Sequence, residues 1–194
     1  MEAVSASRMA RIEGSIAIQQ LPARYAMAVD TRNLDELADL FVEDIDLGAM
    51  GTGRTALKQY FTAATSSFYR SVHQIVGHTF DFEDDDHASG RVYCRAEHER
   101  GETWIVALMC YFDRYERRGD RWYFGAKREF DFFYCADLLE RPQQANFRHW
   151  VVPGMKPDPP MMHPRFPSWV TFWSEQGPEA VARVTNHPVQ PAAF

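Results

Sequence analysis

An α+β fold is predicted, with helices first in the chain and a curved antiparallel sheet wrapped over them second. Three observations predict it. Apolar residues recur at helical spacing up to about residue 68, the period changes to two after Ser71, and the later segments are joined by short polar stretches. From Met9 to Val29 the apolar positions Ile12, Ile16, Leu21, Tyr25 and Val29 describe a first helix, with Pro22 as a kink or restart. Asn33 is placed to cap a short helix through Leu34, Leu37, Leu40 and Phe41. A third helix is expected over Arg54–Phe68, with Leu57, Tyr60, Phe61 and Ala64 as its buried stripe. Four strands follow: Val72–Phe82, Arg91–His98, Thr103–Arg117 and Arg121–Phe133. The connections Glu83-Asp84-Asp85-Asp86-His87, Glu99-Arg100-Gly101-Glu102 and Arg118-Gly119-Asp120 are short enough to require antiparallel hairpins.

The 194 residues suit one compact domain with an appended segment. Proline marks the division, because Pro22 alone lies ahead of residue 140 and the rest fall between Pro142 and Pro191. A domain over 1–140 and an extension over 141–194 are therefore expected. The extension carries Phe147, Trp150, Trp169, Phe172 and Trp173, too much apolar surface for a solvated linker, so it is expected to dock on the core or on a neighbouring subunit. Aromatic residues make up 14% of the chain, enough to line an apolar interior.

Several function classes are disfavoured. With 27 acids against 21 bases and no basic block, a nucleic-acid face is not expected. No run approaches the roughly 18 apolar residues of a membrane helix, and no signal peptide is visible, so a cytoplasmic location is the default expectation. Cys94, Cys110 and Cys135 are odd in number and lack CxxC spacing, which points away from a disulfide framework or a zinc site. Asp84-Asp85-Asp86 lacks the rest of a calcium loop, and His149, His163 and His187 are too scattered for metal spacing. Metal catalysis is not expected.

Strand alternation sorts the chemically useful side chains. Val92, Cys94, Ala96 and His98 share one face, opposite Arg91, Tyr93, Arg95 and Glu97, so His98 points inward. It is a catalyst or a hydrogen-bonded core residue. His73 and His78 differ by five and face opposite ways in a regular strand, so one of them can enter a cavity and both cannot unless a bulge near Gly77 breaks that rule; with His73 in the pair that the resemblance below implies, His78 is left a supporting role. Arg128 falls in the aromatic row Trp122, Phe124, Ala126, Phe130 and Phe132, where a guanidinium needs an anionic or carbonyl partner. Asp30 stands where the first helix ends, the negative end of its dipole. Either it forms a turn with Thr31-Arg32-Asn33, or an imidazole partner holds its charge and leaves a second ring nitrogen as a base. His87, beside three acids, reads as a solvated hairpin residue.

The ordered set Arg24-Tyr25-Ala26-Met27-Ala28-Val29-Asp30-Thr31-Arg32-Asn33-Leu34-Asp35-Glu36-Leu37, Val72-His73-Gln74-Ile75-Val76-Gly77-His78, His87-Ala88-Ser89-Gly90 and Gly119-Asp120-Arg121-Trp122 resembles the SnoaL-like branch of the nuclear-transport-factor-2-like superfamily over about residues 10–135. The resemblance implies a cone-shaped α+β barrel with a deep, mostly apolar pocket, assembly as a homotrimer or homodimer, and chemistry without a cofactor. Three enzyme types of that family are similar at the key positions: scytalone dehydratase, bile-acid 7-dehydratase and hexachlorocyclohexane dehydrochlorinase. They imply an Asp30–His73 dyad as proton base, with Tyr25, His98 and Arg128 assisting; Phe61, Trp104 and Phe130 are the expected substrate contacts. The expectation is a dehydratase-like lyase for a hydroxylated aromatic or polycyclic molecule. A retro-aldol lyase, an isomerase or polyketide cyclase, and a non-catalytic binding protein remain alternatives.

Overall fold

The structure, a computed structural model, describes residues 2–125, 129–138 and 167–186, with side chains over 7–125 and 167–184. It opens on a long helix, α1 (Glu2–Asp30), which runs through Pro22 without a break. The stripe that α1 buries differs from the expected one. Ile12 and Ile16 are more than half exposed, because the first turns of α1 stand clear of the body. Ile18, Leu21, Pro22, Tyr25, Ala28 and Val29 form the buried face.

The end of α1 is built with care for its backbone groups. Asn33 N–H donates to Ala28 O at 2.9 Å and Arg32 N–H to Val29 O at 3.2 Å, the paired bonds of a Schellman stop. The residue in the left-handed position is Arg32 (φ +59°), where glycine is the usual occupant. Asn33 then caps α2 (Leu34–Asp39), as expected: its Oδ1 accepts from Glu36 N–H and its Nδ2 donates to Glu36 Oε2. The chain continues through a 3₁₀ turn at Gly48–Met50 to α3 (Arg54–Thr65). There Leu57 and Thr65 are buried and Phe61 half-buried, while Tyr60 and Ala64 face outward. The stripe runs i, i+4, i+8 rather than through Tyr60.

The sheet follows: β1 (Arg70–Phe82), β2 (His87–Arg100), β3 (Thr103–Arg118), β4 (Arg121–Phe124) and β5 (Glu129–Leu138). All pairs are antiparallel, β1 to β2, β2 to β3, and β3 to both β4 and β5. The expected last strand is thus two. β4 pairs with the 115–118 end of β3 and β5 with its 104–112 end, and Gly125 N–H turns in to Arg114 O between them. The sheet is curved but not closed into a barrel, since β1 pairs only with β2 among the described strands. Its concave face packs on α1 and α2 through Val92, Met109, Tyr111, Tyr115, Trp122 and Phe124. The result is a cone-shaped α+β architecture. The segment Leu40–Val42 is tied to β4 by Phe124 N–H to Leu40 O and Val42 N–H to Phe124 O.

Two further helices, α4 (Pro167–Gln176) and α5 (Pro178–Asn186), pack on the end of the cone where β1 starts and β2 turns into β3. Trp169 and Trp173 lie against Tyr69, Ser168 Oγ donates to Thr31 O at 2.8 Å, and Gly101 N–H meets Val184 O. This part of the extension therefore docks on its own core.

Candidate active site

Asp30 and His73 are 43 residues apart in sequence and meet where α1 ends against β1. The carboxylate takes two donors from one residue: His73 main-chain N–H reaches Oδ2 at 2.7 Å, and His73 Nδ1 reaches Oδ1 at 2.6 Å. Both side chains are almost wholly buried. A carboxylate at the negative end of a helix dipole needs such donors. A carboxylate can only accept, so Nδ1 carries the hydrogen and Nε2 presents a lone pair. His73 Nε2 has no protein partner among the described residues.

A second histidine lies beside the first. The ring of His98 is 5.4 Å from that of His73 and nearly perpendicular to it. Phe68 stacks on it at 4.3 Å, and Ser71 Oγ is 3.0 Å from its Nδ1. Arg32 is buried behind them. Its Nη1 donates to Val29 O at 2.7 Å, and its Nη2 donates to Phe68 O at 2.9 Å and to Ser71 Oγ at 3.4 Å. Phe172 of α4 covers the guanidinium. Burial pulls the His98 pKa down to about 3, with the neighbouring His73 and Arg32 acting in the same direction. Burial also lowers that of Arg32 to about 10, against the pull of Asp30. His98 is thus a neutral imidazole at ordinary pH. Tyr25 packs edge-on to His73 at 6.3 Å, to Phe61 at 6.0 Å and to Tyr111 at 5.9 Å.

The structure thus gathers Tyr25, Asp30, Phe61, His73 and His98, and it adds Arg32, Ser71 and Phe68, which sequence reasoning did not single out. Ser71 had a usable signal, since two residues before His73 on a strand means the same face. Trp104 is a correction. It lies on the outer face, bonded through Nε1 to Glu97, because it sits one residue before the inward Ile105. Phe130 pairs opposite Tyr111 in β5, its side chain outside the described residues, and Arg128 lies outside them altogether.

His78 is a second correction. The register slips between Ile75 and Gly77, so Val76 bulges out to 66% exposure and His78 returns to the concave face with His73. There its Nε2 meets Tyr115 Oη at 2.9 Å, and Tyr115 donates to Asp113. The His78 pKa is lowered by burial and partly restored by Asp113. A supporting role agrees with these contacts, although the facing does not. His87 is exposed and bonded to Asp84. Among the described residues, no group of three or more His, Cys, Asp or Glu is arranged to hold a metal ion. An open concavity of about 440 Å³ lies over Asp81, Arg91, Phe112 and Arg114 on the sheet, away from the dyad.

The structure is thus a cone-shaped α+β fold with a buried carboxylate–imidazole pair at one end. The chain belongs to the SnoaL-like domain family, which it matches over residues 10–128. Solved structures agree. A candidate scytalone dehydratase from Novosphingobium aromaticivorans is 25% identical, with a TM-score of 0.59 over 69% of this chain and 93% of that one. The hexachlorocyclohexane dehydrochlorinase LinA-type3 from Novosphingobium barchaimii is 24% identical, with a TM-score of 0.61 over 75% and 99%. A candidate aromatic ring hydroxylase from Novosphingobium aromaticivorans is 26% identical, with a TM-score of 0.56 over 66% and 95%. No curated protein matches by sequence. No described helix is long and apolar enough to cross a membrane.

Proposed function

We propose that the protein is a cofactor-independent lyase of the dehydratase kind, acting on a hydroxylated aromatic or polycyclic small molecule. The observation that carries this reading is the grip of Asp30 on both the main chain and the ring of His73, which leaves Nε2 as an oriented base. His73 Nε2 removes a proton from a carbon, and the Asp30 carboxylate stabilises the imidazolium so formed. The imidazolium returns that proton to the departing hydroxyl; water leaves and a carbon–carbon double bond remains. Tyr25 and neutral His98 assist through hydrogen bonds to oxygen, and Arg128 holds a polar substituent. Phe61 and Phe130 supply apolar contact. Support comes from the family and from a relative named as a scytalone dehydratase candidate.

The test is a panel of hydroxylated aromatic and steroid compounds with products weighed by mass spectrometry. Loss of water is expected. Loss of formaldehyde would instead mean carbon–carbon cleavage, and an unchanged mass with a new retention time would mean isomerisation. Replacing His73 by Gln should lower turnover by about a hundredfold or more. A folded variant that works at nearly the wild-type rate would remove His73 from the mechanism. Assembly as a homotrimer or homodimer is part of the proposal, and light scattering would measure it.

A further inference from the structure

The stop at the end of α1 carries two opposite charges two residues apart, and each serves a different histidine. Asp30 commits both oxygens to His73. Arg32 reaches Ser71 Oγ, and Ser71 Oγ lies against His98 Nδ1. We propose that Arg32 is a positioning residue that keeps His98 uncharged, so that of two imidazoles 5.4 Å apart only His73 takes a proton.

The backbone supplies the first reason. Arg32 occupies a left-handed position that glycine would fill with less strain, and a strained non-glycine residue is retained for its side chain. The side chain is then held where it cannot retreat: two main-chain carbonyls fix its nitrogens and the Phe172 ring covers it. A fixed guanidinium repels a second positive charge beside it, and burial removes the water that would screen the repulsion. Among the described side chains, the remaining charges around His98 do not offset this; Asp137 of β5 stands in the same row through Ile105, its side chain outside the described residues. Asp30, from α1, is turned to His73. Glu97 and Glu99, on β2 itself, lie on the other face against Arg95 and Trp104 and against Arg70. His73, from β1, adds repulsion once protonated. The described neighbours Phe68 and Ser71 are neutral. Burial is the first cause of the low His98 pKa, and His73 and then Arg32 add to it, the last in line with this geometry.

This deepens the lyase reading by assigning the proton to one histidine, but its test needs no substrate, so a failed activity screen and a failed charge assignment remain distinguishable. The full-length protein, labelled with ¹⁵N in its histidine rings, is titrated from pH 8 down to pH 3 by NMR, with ring signals assigned by their loss in His73→Gln and His98→Gln. Wild-type His98 should stay neutral down to about pH 4, in line with its pKa of about 3. Arg32→Met, and Arg32→Asn as the variant best suited to the left-handed turn, should raise the His98 midpoint by about one unit or more into that window, while Arg32→Lys leaves it at the wild-type position. A plain helix-stop role would move melting temperature in all three variants and His98 in none. That outcome, or a wild-type His98 that gains a proton above pH 5, overturns the proposal.

Discussion

Burying a histidine as deeply as His98 ties its charge to the stability of the fold. In the unfolded chain an imidazole titrates near 6.5, whereas folding lowers His98 to about 3. The folded state binds fewer protons, so stability is greatest above about pH 6.5 and falls as the solution is acidified toward 3. At pH 5 the loss is about 2 kcal/mol. Thermal melts at pH 7 and pH 5 should therefore lie several degrees apart, and His98→Gln should shrink that gap. A gap of the same size in a folded His98→Gln variant would assign the acid sensitivity elsewhere, with His78 next in line because its pKa is lowered by burial too. The place of Asp30 at a helix end and the inward facing of His98 were legible in the residues, whereas the pairing of Asp30 with His73 was implied only by the family resemblance. Arg32 was not legible, because its role depends on a backbone angle that an arginine rarely adopts and that composition does not announce.

Among the elements, the bulge in β1 decides most. A strand of period two sends His78, Phe80 and Phe82 to solvent if His73 points inward, and one extra residue at Val76 reverses all three. Nothing in the run Gln74-Ile75-Val76-Gly77-His78 fixes that slip locally; the glycine only permits it, and packing of Phe82 on Trp122 selects it. Deleting Val76 should therefore turn either the dyad or the Phe80–Phe82 face outward, at a loss of about 3 kcal/mol or more, read as a lowered denaturant midpoint. The apolar spacing of α1 misled for a related reason. Periodicity names a face but not the length over which a partner covers it: ahead of Gly14 the described residues of α1 are exposed, and Ile16 beyond it faces away from the sheet. The helices α4 and α5 rest on a few aromatic contacts, so Trp173→Ala should loosen them and leave the cone intact. Faster hydrogen exchange confined to residues 167–186 would be the expected result, and global loss of protection would mean that they are integral to the core.

At the scale of the whole molecule, helices followed by an antiparallel sheet could be read from the change of period alone. The opening of that sheet could not, because closure depends on which edges meet, and a one-dimensional pattern holds no record of edges. The aromatic content of the extension predicts docking, and α4 and α5 cover the very corner where Arg32, Phe68 and Tyr69 lie. Truncation after Arg141 should lower the melting temperature and abolish turnover together, while unchanged melting and turnover would make the segment dispensable. Finally, the carboxylate of Asp30 also serves as a mortise joint between helix and sheet, since one of its oxygens holds main chain rather than ring. The two members of the dyad are therefore unequal under mutation. On the proposed mechanism, removing the imidazole silences the base yet leaves the joinery standing, whereas replacing the acid loosens reagent and scaffold at one stroke, so the Asp30 variants should melt lower than their His73 counterparts.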